Sequence, residues 1–258
     1  ECAAFGFNMD FAPSLDIWSN PDNTVIGDRA FGNDWEWTAF FGMSAVESME
    51  EQGGVIPVVK HFPGHGDTSV DSHVALPVVD KSLEELWQSE LVPFNMVLNQ
   101  EDYFGAQSGP SAPAVMVAHI LLSQVDPDYP SSLSQKVVTG LLREEMGFDG
   151  VVCTDDLTMG AVSNTYGMGE AAVLAVEAGC DLLLVCHGAD NLTAARDALL
   201  EAADSGRLSP ERLNESVKRI LSLKVEYGLT NDPVDTPDVD TLNARIGALT
   251  EQITEASS

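Results

Sequence analysis

Residues 60–73 read KHFPGHGDTSVDSH and hold three of the chain's five histidines, together with two aspartates and one of only twelve cationic side chains. A packed core has no use for that composition, whereas proton transfer and polar recognition do. Pro63, Gly64 and Gly66 let the backbone turn tightly, and the loop then carries Asp71 and His73 two positions apart. A carboxylate within reach of an imidazole N–H fixes the tautomer and raises the basicity of the other ring nitrogen. His73 is therefore a candidate acid/base catalyst and Asp71 its orienter. Two other readings stay open: solvated loop residues, or a metal site built from His61, His65 and His73. The metal reading lacks support from spacing, which fits neither HExxH nor a zinc ribbon.

The run GVVCTDDLTMG (150–160) places Asp155 where an apolar segment meets a loop. A carboxylate desolvated from below and open above suits a nucleophile attacking an anomeric carbon. The rival reading is that Asp155 or Asp156 caps the following turn, and the pair can divide the two tasks. The segment SNPDNTVIGDRAFGND (19–34) carries Arg29, and Lys60 ends another apolar run. In a chain so poor in cations, both are candidates to donate hydrogen bonds to sugar hydroxyls, with chance surface placement as the alternative for Arg29. His119 and His187 are open to a pocket-lining or a structural reading. The tryptophans Trp18, Trp35, Trp37 and Trp87 read as packing residues.

These residues need elements to hold them. Apolar runs at 5–13, 55–62, 113–120, 150–157 and 180–187 read as strands. Helical spacing lies between them, as in Trp37, Phe40, Phe41, Ala45 and Met49, or Val137, Val138, Leu141 and Leu142. The predicted order is βαβα, with strands buried on both faces. Ser82 with Glu85 forms a capping box, and Ser209 with Pro210 opens another helix. Residues 230–240 read as a polar connector before a last helix from about Leu242. The expected division is a barrel-type domain over 1–229 and an acidic connector plus helix over 230–258. Each strand ends in reactive side chains: Asp10, then Lys60 and His61, His119, Asp155 and Asp156, and His187. Such convergence builds the active site of a TIM (β/α)8 barrel, although an open doubly wound sheet binds ligands at the same ends. No GxGxxG or GxxxxGK[ST] follows any strand, which argues against a nucleotide enzyme.

Composition sets the outer bounds. With 258 residues, 44% of them hydrophobic, the chain can bury one large core. A formal charge of −29 repels phosphate backbones and anionic membranes, so no nucleic-acid partner is expected. The same charge suits concentrated salt, and a halophilic protein is the preferred reading over an acidic surface of no special meaning. Cys2, Cys153, Cys180 and Cys186 form no CxxC pair, and the last three read as buried thiols. No apolar run is long enough for a membrane span.

Taken together, KHFPGHGDTSVDSH, NMDFAPSLDI (8–17), NPDNTVIGDRAFG (20–32), VMVAHI (115–120) and TDDLTMG (154–160) resemble the glycoside hydrolase family 3 β-N-acetylglucosaminidases of the NagZ type. The likeness runs from residue 5 to about 227. It implies a TIM barrel that removes terminal β-linked N-acetylglucosamine with retention, through a covalent glycosyl-enzyme and without a cofactor. The implied substrates are muropeptides or chitooligosaccharides. Asp155 matches the nucleophile, His73 and Asp71 the acid/base dyad of a mobile loop, and Arg29, Lys60 and His61 the residues that hold sugar hydroxyls. His119 joins them as a pocket-lining candidate. Family 3 β-glucosidases and xylosidases resemble the nucleophile segment but take their acid/base from a second domain, so the DSH element argues against them. A family barrel has eight βα units, and the five strands here match the last five. The opening three are therefore expected to be absent, which leaves an inactive or purely sugar-binding fragment as a rival reading beside a metal-dependent hydrolase. The compartment is left open.

Overall fold

The computed structural model of the protein describes residues 1–68, 71–72, 75–99 and 111–256. Its centre is a parallel sheet of β1 (Met9–Asp10), β2 (Ile56–Phe62), β3 (Ala114–Val117), β4 (Val151–Asp156) and β5 (Leu182–Leu184), hydrogen-bonded in that sequential order. Helices fill the crossovers: α1 (Trp35–Glu47), α2 (Leu91–Asn99), a π-type helix over Lys136–Glu145 and α3 (Met168–Ala178). After β5 come α4 (Ala189–Asp204), α5 (Pro210–Glu226) and α6 (Val239–Ala256). Parallel strands in sequential order with a helix in each crossover are the winding of a barrel, and the expected α/β architecture is present.

Strand parity decides what faces where, because successive side chains point to opposite sides of a sheet. Ile56, Val58, Ala114, Met116, Val151 and Cys153 form one apolar cluster, closed from below by Leu223 of α5 with Tyr227 and Leu229. Their neighbours Val59, Val115, Val117 and Val152 join the larger core beneath the helices, with Phe62, Phe94, Val138 and Leu142. Lys60 follows Val58 by two residues and Asp155 follows Cys153 by two, so both continue the first face.

Several sequence expectations change at the edges of the sheet. The first strand was expected over 5–13 but is regular only at Met9–Asp10. Its pairing continues irregularly as Val58 N–H donates to Ala12 O, Lys60 N–H to Pro13 O and Leu15 N–H to Lys60 O, because Pro13 has no N–H to give a regular ladder. Phe5 and Phe7 are exposed. Helix α1 buries Thr38, Ala39, Gly42 and Val46 instead of its aromatic stripe, and Trp37, Phe40 and Phe41 are exposed, with Trp37 stacked on Phe41 and Phe40 meeting both edge to face. The small residues win because the helix lies close on the strand segment: a Cβ at Gly42 would come within 2.4 Å of Leu15 Cδ2. The fifth strand is three residues long and half-buried. Cys153 and Cys180 are buried as expected, but Cys186 is exposed. The capping box of Ser82 and Glu85 and the Ser209 cap of α5 are both formed. Among the described residues no helix is long and apolar enough to cross a membrane.

Candidate active site

At the C-terminal ends of the strands lies a cavity of about 250 Å³ whose lining includes Arg29, Lys60, His61, His65, Ser72 and Asp155. Two larger depressions, about 610 and 550 Å³, lie elsewhere. The larger is lined by Pro113, Gly150 and Val151, at the N-terminal ends of β3 and β4. In parallel α/β architectures chemistry belongs to the loops at the opposite end, and the side chains singled out by the sequence converge there.

The two aspartates that end β4 have different surroundings. Asp156 is buried and also borders the cavity. Its carboxylate accepts from Thr158 N–H at 3.0 Å, Thr158 Oγ1–H at 2.5 Å and Cys186 N–H at 3.0 Å, with His187 Nε2 at 3.6 Å. Burial opposes its ionisation, but the Cys186 amide and the Thr158 hydroxyl and amide outweigh it and lower its pKa. Asp155 lines the cavity, half-buried, with Oδ1 accepting only from the Asp156 N–H at 2.8 Å among the described hydrogen bonds. Both border the cavity, but the Asp156 carboxylate is tied to the fold by three donors and the Asp155 carboxylate takes one among the described hydrogen bonds.

Opposite them stand the cations. Burial pushes the Lys60 ammonium below its ordinary pKa, and the nearby Arg29 guanidinium adds to that, while Asp155, Asp16 and Asp10 pull the other way. Arg29, which also lines the cavity, is exposed, and its Nη2–H donates to Val25 O at 2.7 Å. His61 lines the same space. Its Nδ1 lies 2.6 Å from Oδ2 of Asp16, a residue with no exposed surface that sequence reasoning passed over. Asp16 Oδ1 accepts from the N–H groups of His65 at 2.6 Å and His61 at 3.3 Å, and Oδ2 also accepts from Ser14 Oγ–H at 2.7 Å. Burial alone would push this carboxyl up; the His61 charge and hydrogen bond, with the charge and amide of His65, hold it far below the carboxylate range. The signal was present in NMDFAPSLDI, whose second aspartate sits among apolar neighbours, a place an acid occupies only when paired.

The loop after β2 is laced to the loop after β1. Asn23, itself buried, donates from Nδ2 to His65 O at 2.7 Å and accepts at Oδ1 from Val25 and Ile26 N–H, while Asn20 N–H donates to Gly66 O. His65 has both ring nitrogens engaged, Nδ1 with Thr68 Oγ1 at 2.7 Å and Nε2 with Ser72 Oγ at 3.1 Å, and burial lowers its pKa. His119 does not line the cavity. It is fully buried, donates from Nε2 to Asp156 O at 3.0 Å and meets Ser132 Oγ at 2.6 Å through Nδ1, and burial lowers its pKa. It supports the strand end beneath the aspartates and does not touch the cavity as expected from sequence. His187 is exposed beside Asp156. Asp71 is half-buried next to Ser72, whose carbonyl accepts from Ala161 N–H at 3.0 Å. His73 lies outside the described residues.

Known proteins resemble this chain in sequence and fold. A Paenibacillus sp. str. FPU-7 structure described as a glycoside hydrolase family 3 β-N-acetylglucosaminidase superposes with a TM-score of 0.83 at 48% identity, covering 91% of this chain and 44% of its own. A protein of Pseudoalteromonas piscicida named beta-hexosaminidase A is 31% identical over 97% of this chain and 45% of its own length. A beta-hexosaminidase of Pseudomonas aeruginosa is 39% identical over 72% of this chain and 52% of its own. The chain thus spans about half the length of these relatives. The profile of the glycosyl hydrolase family 3 N-terminal domain matches residues 1–223, and on that match, with the strand-end cavity it covers, the chain belongs to glycosyl hydrolase family 3.

Proposed function

We propose that the protein is a retaining, exo-acting β-N-acetylglucosaminidase. The observation that carries the reading is the meeting of Asp155 with Lys60, Arg29 and His61 on one small cavity at the strand ends, in a chain whose relatives are named beta-hexosaminidases. Asp155 attacks the anomeric carbon and forms the glycosyl-enzyme. Arg29, Lys60 and His61 hold the sugar hydroxyls as the ring flattens toward an oxocarbenium ion. His73, oriented by Asp71, protonates the departing oxygen and then deprotonates the water that releases the sugar. The substrate is a terminal N-acetylglucosamine on a chitooligosaccharide or a muropeptide, and no cofactor takes part. In the same reading the five strands belong to a (β/α)8-type barrel domain over 1–229, of which they are the last five. Residues 230–258 add the connector and α6.

The test uses the intact protein with a nitrophenyl β-N-acetylglucosaminide, following the anomer released by proton NMR. The β-anomer as first product supports retention, and an α-anomer or no turnover refutes the reading. The acid/base assignment has its own test, because protonation helps most when the leaving group is poor. His73→Ala should reduce turnover of a natural disaccharide far more than that of the activated aryl glycoside. Equal losses on both substrates would remove His73 from the general-acid role.

A further inference from the structure

We propose that Asp16 is a positioning residue that fixes the ring tautomer of His61 and, through the same carboxylate, the backbone of the loop that follows; for its catalytic consequence the proposal rests on the function given above. Asp16 is fully buried, and each of its oxygens has two donors. Oδ1 takes the amides of His61 and His65, while Oδ2 takes the Ser14 hydroxyl and the His61 ring. An ionised carboxylate only accepts hydrogen bonds, so His61 Nδ1 must carry the proton in the 2.6 Å contact. That leaves Nε2 as the ring nitrogen available to a ligand of the cavity that His61 lines. With Nδ1 protonated, Nε2 accepts from a sugar hydroxyl while the ring is neutral and donates when it is charged.

A plain structural role would need only the amide contacts. The ring contact is different because it engages a side chain that lines the cavity, whereas the amide contacts, which join the same two segments, hold only backbone. Lys60 and His61 are consecutive, and Lys60 accepts at its carbonyl from Leu15 N–H, next to Asp16. The segment Ser14–Asp16 therefore holds both sides of the Lys60–His61 pair, one by its backbone and one by its carboxylate.

Asparagine at position 16 tests this without removing volume. Its Oδ1 can keep both amides, and the Ser14 hydroxyl can rotate to accept from the new Nδ2–H. The same amide nitrogen cannot accept from His61, so the imidazole must move its proton to Nε2. Nitrogen-15 NMR of the intact, histidine-labelled protein should show His61 protonated on Nδ1, and protonated on Nε2 in Asp16→Asn, with His61→Gln giving the assignment. Steady-state kinetics on the nitrophenyl β-N-acetylglucosaminide should show kcat/KM falling about 10- to 100-fold in Asp16→Asn, by analogy with the range for groups that orient a metal-ligating histidine, chiefly through KM. In a His61→Gln background the same substitution should add little, because its effect passes through the ring. An unaltered His61 nitrogen pattern, or equal losses in the two backgrounds, would overturn the proposal. So would an Nε2–H tautomer in the wild type, which decides the matter even if the variant does not fold. If the wild type hydrolyses no β-N-acetylglucosaminide, the proposed function fails, and the nitrogen spectra still decide whether Asp16 sets the tautomer.

Discussion

Neighbouring aspartates at the end of β4 are separated by one peptide and by their tasks, and substitution can separate them too. Asp155→Ala should abolish turnover of the aryl glycoside while leaving the melting temperature within a few degrees of the parent, since its carboxylate accepts one amide and otherwise faces the cavity. Asp156→Ala should do the reverse in kind. It leaves the Thr158 and Cys186 amides and the Thr158 hydroxyl without their acceptor, and since Cys186 is exposed and Thr158 half-buried, water takes up part of the loss, so the total cost is about 1–3 kcal/mol, read as a lower denaturant midpoint. Near-normal turnover by Asp155→Ala would reject it as the nucleophile. The two aspartates were legible in TDDL as a pair with one task each, and the family resemblance marked Asp155 as the nucleophile; what the sequence could not show was which groups hold Asp156, because its Cys186 partner lies 30 residues away. His119 was legible only as a polar residue ending a strand, and its full burial follows from partners 13 and 37 residues away in sequence.

Elements and loops are where the sequence was most informative and also where it misled. The five strands of the central sheet and the helices after the first and third of them follow from apolar runs and helical spacing, since a strand covered on both faces needs an unbroken run, whereas the short parallel pair of Val78–Val79 with Leu121–Leu122 was not foreseen. What could not be read was which face of α1 packs. The aromatic stripe carries more apolar area, yet Gly42 and Ala39 permit a closer approach to Leu15, and that steric fit is invisible without the neighbour. The loop after β2 shows the same dependence more sharply. A Cβ at Gly66 would lie 1.7 Å from the carbonyl oxygen of Ile17, so no side chain fits without separating the two loops that Asn20 and Asn23 hold together. Gly66→Ala should therefore lower stability by about 2 kcal/mol or more and impair catalysis as well, because the displaced segments carry Asp16 and His65. Thermal melts and kcat/KM measured side by side would check this, and a variant matching the parent in both would show that the loops can separate without consequence.

At the scale of the whole molecule the dominant fact is charge, and the distribution of the cations makes its effect predictable. Of 12 lysines and arginines against 41 acids, several are already shared among more than one carboxylate. Arg207 holds Glu170 and Glu177, and Lys81 holds Asp67 and Glu90. Arg143, Arg212 and Arg219 gather around the fully buried Asp181, at 2.7, 3.6 and 3.5 Å. Cations committed in this way cannot neutralise the remaining acids, and the excess of negative charge is left to repel itself across the surface. Two effects of salt then compete. Screening weakens exposed pairs such as Arg207 with Glu170, each worth about 1 kcal/mol or less, and it weakens the repulsion among the many unpaired acids. The Asp181 cluster is buried and little affected, so the repulsive part outweighs the loss, and the halophilic reading leads to a definite expectation. Between 0.1 M and 1 M potassium chloride the Debye length falls from ~10 Å to ~3 Å, and the melting temperature of the intact protein should rise by several degrees. Chloride is the proper anion for this test, because sulfate would strengthen apolar burial in any protein and confound the result. A melting temperature that stays level or falls over that range would mean the surface acids are too far apart to matter, and the halophilic reading would be withdrawn.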